Sequence, residues 1–146
     1  MTKTKVLFLC IHNSARSQMA EAYLNKFGSE NFIVESAGLE PGKLNPLAVE
    51  VMMEEGIDIS KNPTNDVFEF FKQGKIFQYV ITVCDKEASD RCPVFPGMHE
   101  KINWSFPDPS KLEGTHEEKL ARTREVRNQI REAVLQFIKD LSIPKE

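Results

Sequence analysis

The feature that most constrains this chain is the stretch Val6 to Leu24, VLFLCIHNSARSQMAEAYL. It opens with Val6-Leu7-Phe8-Leu9, an apolar run of strand type, and Cys10 closes that run. Arg16 follows six positions later, and Met19, Ala20, Tyr23, Leu24 and Phe27 then recur at helical spacing. A strand, a tight loop and a helix start in immediate succession gather backbone N–H groups around one small space. Such a space attracts an anion, because the first helical N–H groups lack internal partners and the helix dipole is positive there. A thiol among amide donors and a guanidinium ionises more readily, so Cys10 is expected to act as a thiolate nucleophile near neutral pH. Arg16 can hold two oxygens of a tetrahedral oxyanion in its planar fork. Ile11, His12, Asn13, Ser14 and Ala15 complete the loop that wraps the anion with Arg16. The His12 side chain is expected to face outward, without a role of its own. A buried structural cysteine near a surface arginine is the plain alternative for the pair alone. The strand before it, Asn13-Ser14, Ser17 and the helix after it weigh against that alternative.

The order Cys, five residues, Arg, Ser resembles the phosphate-binding loop of the protein tyrosine phosphatases. Its place directly after the first strand is similar to the low-molecular-weight subgroup.

A chain of 146 residues is expected to form one domain spanning 1–146, with a substantial core. A formal net charge of −3 without a run of Lys or Arg argues against nucleic acid or an anionic membrane as partner. No apolar run reaches the length of a membrane span, and MTKTK leads straight into a strand rather than a signal peptide. The expected compartment is the cytoplasm. An odd count of three cysteines in a reducing compartment points away from a structural disulfide framework.

Along the chain, Gly28 is expected to end the first helix, and Phe32-Ile33-Val34 reads as a second strand leading to Ser36-Ala37-Gly38. Asn45-Pro46 reads as a helix start, Asn as cap and Pro at the first helical position. Val49, Val51, Met52 and Met53 are expected to form that helix's apolar side, and Gly56 to stop it. Val67 to Lys72 is a short aromatic-rich helical segment. Tyr79 to Val83 reads as a buried strand with Cys84 at its end, and residues 85 to 98 as a mobile polar loop. Lys101 to Trp104 is a candidate fourth strand. Thr115 and Glu118 form a capping box for the last helix, whose apolar stripe is Val126, Ile130, Val134, Phe137 and Leu141. Strands alternating with helices predict an α/β fold: three layers, with a four-stranded parallel sheet and helices on both faces. In such sheets ligands bind at the carboxyl ends of strands, where both Cys10 and Cys84 are expected.

Asp108, in FPDPS, can act as the general acid that protonates a leaving oxygen. Cys84 and Cys92 do not have the spacing of zinc ligands, and His99 is the only nearby histidine. Bystander thiols are one reading of the two. A relay is the other: Cys84 attacks Cys10 once it carries substrate, and Cys92 then attacks Cys84. If residues 85 to 91 were helical, the Cα atoms of Cys84 and Cys92 would stand about 12 Å apart. A disulfide tolerates about 7 Å, so that segment must rearrange on oxidation. A relay that oxidises two thiols needs a substrate that accepts two electrons. Phosphate cannot, whereas arsenate, nearly the same in shape and charge, can.

With these residues in view the chain resembles the thioredoxin-coupled arsenate reductases of the low-molecular-weight tyrosine phosphatase superfamily. The similarity runs through CIHNSARSQMAE, ESAG at 35–38, NPLAVE at 45–50, GIDIS at 56–60, VITVCD at 80–85, CP at 92–93 and NWSFPDP at 103–109. Gln18 follows Arg16-Ser17 as in those reductases, where the phosphatases usually carry proline. The resemblance implies Cys10 as nucleophile, Arg16 as oxyanion grip, Ser17 as support for the thiolate and Asp108 as acid. It implies Cys84 and Cys92 as second and third nucleophiles, arsenate as substrate, thioredoxin as reductant and no required cofactor. It also implies a structural potassium site at Asn13, Glu21, Ser36 and Asp66; an ordinary hydrogen-bond network is the alternative there. The chain departs from the pattern at Ala15, where many members have cysteine, at Ile11-His12, and in a Cys84–Cys92 spacer about one residue longer. The alternative function is a phosphatase acting on aryl phosphates through Cys10, Arg16 and Asp108. Ser110-Lys111 stands where such phosphatases place an aromatic pair, which argues against that as the dedicated role.

Overall fold

The computed structural model describes residues 3–83, 90–91, 95–98 and 100–142. Among these, β1 (Thr4–Cys10) leads through a loop into α1 (Arg16–Gly28), and β2 (Phe32–Gly38) follows. Next come α2 (Pro46–Met53), α3 (Val67–Lys72), β3 (Tyr79–Thr82) and β4 (Glu100–Asn103). A single 3-10 turn, Pro109–Lys111, precedes the long α4 (His116–Ser142).

The four described strands form one parallel sheet in the order β2-β1-β3-β4. β1 is central, and its residues Val6 to Cys10 are all buried. Because alternate residues of a strand face opposite ways, five buried in a row mean that both faces of the sheet are covered. Phe8 meets Trp104, whose ring also meets Phe137 of α4. β2 is longer than its apolar run suggests. The small residues Ser36, Ala37 and Gly38 continue the ladder to Cys10, with Gly38 opposite it.

The helix ends follow their chemistry. Asn45 accepts from the Leu47 N–H at 2.8 Å and Pro46 takes the first helical position. The Thr115–Glu118 capping box is formed in both directions. Two apolar expectations are corrected. On α2 it is Ala48, Val51 and Met52 that are buried, while Met53 is half exposed. On α4 the stripe holds through Phe137, but Leu141 is exposed. Phe27 falls in α1 as its spacing implies and lies outside, stacked flat on Tyr23. Within the stretch expected to be a polar loop, Phe95 is buried against Phe71 and Phe77. Cys84, Cys92 and the remainder of that expectation lie outside the described residues.

Candidate active site

Cys10 ends the central strand, and the loop after it is held from outside. The carbonyls of Cys10, Ile11, His12 and Ser14 accept from the N–H groups of Leu39, Glu40, Gly42 and Asn45 at 2.8–3.2 Å. The described peptide bonds are all trans. In a trans peptide the N–H points opposite to the carbonyl. Carbonyls turned outward therefore turn the loop's N–H groups inward, around Cys10. Asn13 shows this directly, its N–H donating to Cys10 Sγ at 3.1 Å. The loop packs so tightly on β2 that a Cβ on Gly38 would stand 2.7 Å from Ile11 O and 2.9 Å from Asn13 N.

α1 begins at Arg16 without a side-chain cap and without an acidic residue in its first turn. Its N-terminus is thus left for an anion. The Cys10 sulfur is buried and lies 3.0 Å from Ser17 Oγ. Asn13 Oδ1 accepts from the Asn65 backbone N–H at 2.9 Å, which fixes which end of the amide is oxygen. Asn13 Nδ2 then donates to Ser17 Oγ at 2.7 Å and to Ser36 Oγ at 2.9 Å. Ser17 Oγ thus accepts from that amide, and its own hydrogen can turn to the sulfur when the thiol is ionised. The loop thus offers Cys10 one fixed donor, the Asn13 N–H, and a second from Ser17 when the sulfur is ionised. His12 is exposed as expected, its Nδ1 2.9 Å from Glu40 O.

Arg16 is nearly buried. Its Nη1 donates to Phe106 O at 3.1 Å, and its Nη2 lies 3.5 Å from Asp108 Oδ2. Asp108 caps the 3-10 turn, accepting from Ser110 N–H and O–H at 2.9 and 2.8 Å. Burial raises its carboxyl pKa, but Ser110, Arg16 and Lys111 together outweigh burial and hold it below the usual value. At rest Asp108 is a carboxylate, so an acid role requires it to gain a proton when the loop fills.

Of the four residues expected around a cation, Asn13, Ser36 and Glu21 form a hydrogen-bonded chain, and Asp66 is bonded to none of the other three. Ser36 Oγ donates to Glu21 Oε1 at 2.7 Å, and burial raises the Glu21 carboxyl despite that bond. Asn13 Oδ1 is already engaged by Asn65 N–H and Gln18 Nε2, and Asp66 Oδ1 accepts from Phe68 N–H as the cap of α3. Glu21 and Ser36 fit a hard cation; the Asn13 oxygen has both lone pairs in use. Among the described residues no cluster of three His, Cys, Asp or Glu side chains is placed to hold a metal. No described helix is long and apolar enough to cross a membrane.

Sequence reasoning missed the scale of the support behind the loop. Asn62, Pro63 and Asn65 bond to Gln18 and Asn13, and Asn65 Nδ2 donates to Ser36 O. The run N-P-T-N offers polar turn residues but nothing that says which loop they brace.

The family described as low molecular weight phosphotyrosine protein phosphatase matches residues 5–145. An arsenate reductase of Halalkalibacterium halodurans is 42% identical over 137 residues, 94% of this chain and 96% of the relative. A solved arsenate reductase in the phosphate binding state superposes with a TM-score of 0.77 at 31% identity, covering 95% of this chain and 99% of that one. The thioredoxin-dependent arsenate reductase of Corynebacterium glutamicum superposes with a TM-score of 0.71 at 27% identity, covering 97% of this chain and 62% of that one. A loop that turns its N–H groups onto a cysteine, closed by an arginine paired to the carboxylate of an Asp-Pro turn, thus accompanies likeness over nearly the whole length: the chain belongs to the low molecular weight phosphotyrosine protein phosphatase family, on the side of its arsenate reductase relatives.

Proposed function

We propose that this protein reduces arsenate to arsenite through Cys10, Cys84 and Cys92, and that thioredoxin restores the thiols. The observation that carries the reading is one loop whose Asn13 N–H donates to Cys10 Sγ and whose end, Arg16, pairs with Asp108, in a chain with two further cysteines. The likeness to relatives named arsenate reductase, and to a solved one named thioredoxin-dependent, supports it.

The Cys10 thiolate attacks arsenic, Arg16 and the inward N–H groups hold the remaining oxygens, and Asp108 gives a proton to the departing hydroxide so that water leaves. Cys84 then attacks Cys10 Sγ. The S–As bond breaks, its electron pair stays on arsenic, and arsenite departs. Cys92 attacks Cys84, returning Cys10 as a thiolate and leaving a Cys84–Cys92 disulfide. The thioredoxin dithiol takes over the oxidised state, so two electrons enter per arsenite released.

The first step is shared with phosphate ester hydrolysis, where water instead of Cys84 attacks the intermediate. Weak aryl phosphate hydrolysis therefore accompanies the main reaction. We also place the protein in the cytoplasm, where its thiols stay reduced. A monovalent cation beside Glu21 and Ser36 would neutralise a buried carboxylate that supports Asn13; a higher unfolding temperature in potassium than in a large organic cation, lost in Glu21→Gln, checks this. The reaction itself is tested by arsenate-dependent NADPH consumption through thioredoxin and thioredoxin reductase. A glutathione–glutaredoxin system as sole effective donor would replace the partner and keep the reaction.

A further inference from the structure

Gln18 is wholly buried in the first turn of α1, and no step above uses it. Its amide is nonetheless fully engaged. Nε2 lies 3.1 Å from Asn13 O, 3.3 Å from Asn13 Oδ1 and 2.9 Å from Pro63 O, and Oε1 accepts from Asn62 Nδ2 at 3.2 Å. Three oxygens on one side and a donor on the other fix the amide's orientation. A buried amide is costly unless bonded, so one bonded this completely defines the geometry around it.

What it defines is Asn13. With φ of +54°, Asn13 is the sole non-glycine among the described residues in the left-handed region. Asn tolerates that region better than most residues, but it still needs its surroundings to hold it there. Gln18 holds both Asn13 oxygens at once. The left-handed turn aims the Asn13 N–H at Cys10 Sγ, and the pinned side chain aims Nδ2 at Ser17 Oγ, which faces the same sulfur.

We propose that Gln18 is a positioning residue for the Cys10 nucleophile: through Asn13 it sets the two donors that face the sulfur, and through Asn62 and Pro63 it ties them to the 62–65 segment. The inference rests on Cys10 being the reactive thiolate. It differs from a structural brace in one respect. A brace changes how firmly the protein folds; a positioning residue changes how the sulfur responds to pH.

The test uses the full chain with Cys84→Ser and Cys92→Ser, leaving Cys10 as the sole thiol. The readout is the rate of iodoacetamide alkylation against pH. Gln18→Met keeps side-chain length and removes the donors. It is expected to move the alkylation midpoint up by about one pH unit, roughly the effect of one weakened hydrogen bond to a charged group. Asn62→Ala removes the outermost bond alone and is expected to shift the midpoint the same way by less; it carries the test if Gln18→Met does not fold. Unchanged midpoints, whatever the urea unfolding curve does, overturn the proposal. A parent protein whose thiol is alkylated appreciably only above pH 8 overturns the nucleophile reading, and the role of Gln18 with it.

Discussion

Arg16 Nη2 lies 3.5 Å from Asp108 Oδ2, so the proposed oxyanion grip and the proposed general acid are partners at rest. The pairing helps hold Asp108 as a carboxylate. An entering oxyanion takes a share of the Arg16 charge and places negative charge beside Asp108. Both changes raise the carboxyl's affinity for a proton. On the proposed mechanism, substrate binding thereby converts a resting carboxylate into an acid.

Asp108→Asn is therefore expected to lower aryl phosphate hydrolysis by about 10²- to 10⁴-fold, the usual worth of general acid catalysis. Phosphate binding should persist or tighten, because Arg16 loses a competing partner. Steady-state hydrolysis and calorimetric titration with phosphate check the two arms. Lost phosphate binding with intact turnover would show the opposite division of labour.

Gly38→Ala is expected to damage the site from behind. The added Cβ meets Ile11 O, His12 C and Asn13 N at 2.7–2.9 Å, all of them backbone of the catalytic loop. Overpacking of this kind costs about 1–3 kcal/mol. The loss should appear both in the urea midpoint and as a fall in activity of tenfold or more, since a shifted loop misplaces its donors. A variant with full activity would mean that the β2 end can yield without moving the loop.

Acid unfolding gives a third prediction. Glu54 receives hydrogen bonds from Arg124 at 2.7–2.8 Å and from Arg127 at 2.8 Å, and these, Arg124 foremost, hold its carboxyl at about 2, below its ordinary 4.5. The folded value lies below the unfolded one. The stabilisation is therefore complete above the ordinary value and disappears as pH falls toward about 2. Urea midpoints measured from pH 6 down to 2 should decline, and Glu54→Gln should make the decline shallower. Parallel curves would remove Glu54 as a cause.

Cys92→Ser is expected to stop the reaction after one arsenite per protein, with Cys10 and Cys84 joined. Mass mapping of the alkylated, unreduced protein reads the bridge. Any other bridge would contradict the order of the relay.

The sequence carried the site better than it carried the site's support. Cys10, Arg16 and Asp108 were legible because each chemistry needs a particular residue type in a particular context: a thiol after a strand, a guanidinium at a helix start, a carboxyl beside prolines. Asn45-Pro46 and Thr115–Glu118 were legible because caps are local. Met53 and Leu141 were misread because helical periodicity marks a face but not how far the partner surface extends. Phe95 was hidden in a polar stretch, since a single aromatic has no period. The bonds from Asn62, Pro63 and Asn65 to Gln18 and Asn13 span 44 to 52 positions of chain, and no local pattern announces them.

The most direct measurement compares two activities in one variant, Cys84→Ser: arsenate-dependent NADPH oxidation through thioredoxin and its reductase, and hydrolysis of p-nitrophenyl phosphate. Electron transfer through Cys84 predicts that the first disappears while the second stays close to the parent rate. Arsenate turnover that survives the substitution, or an equal fall in both activities, would contradict it.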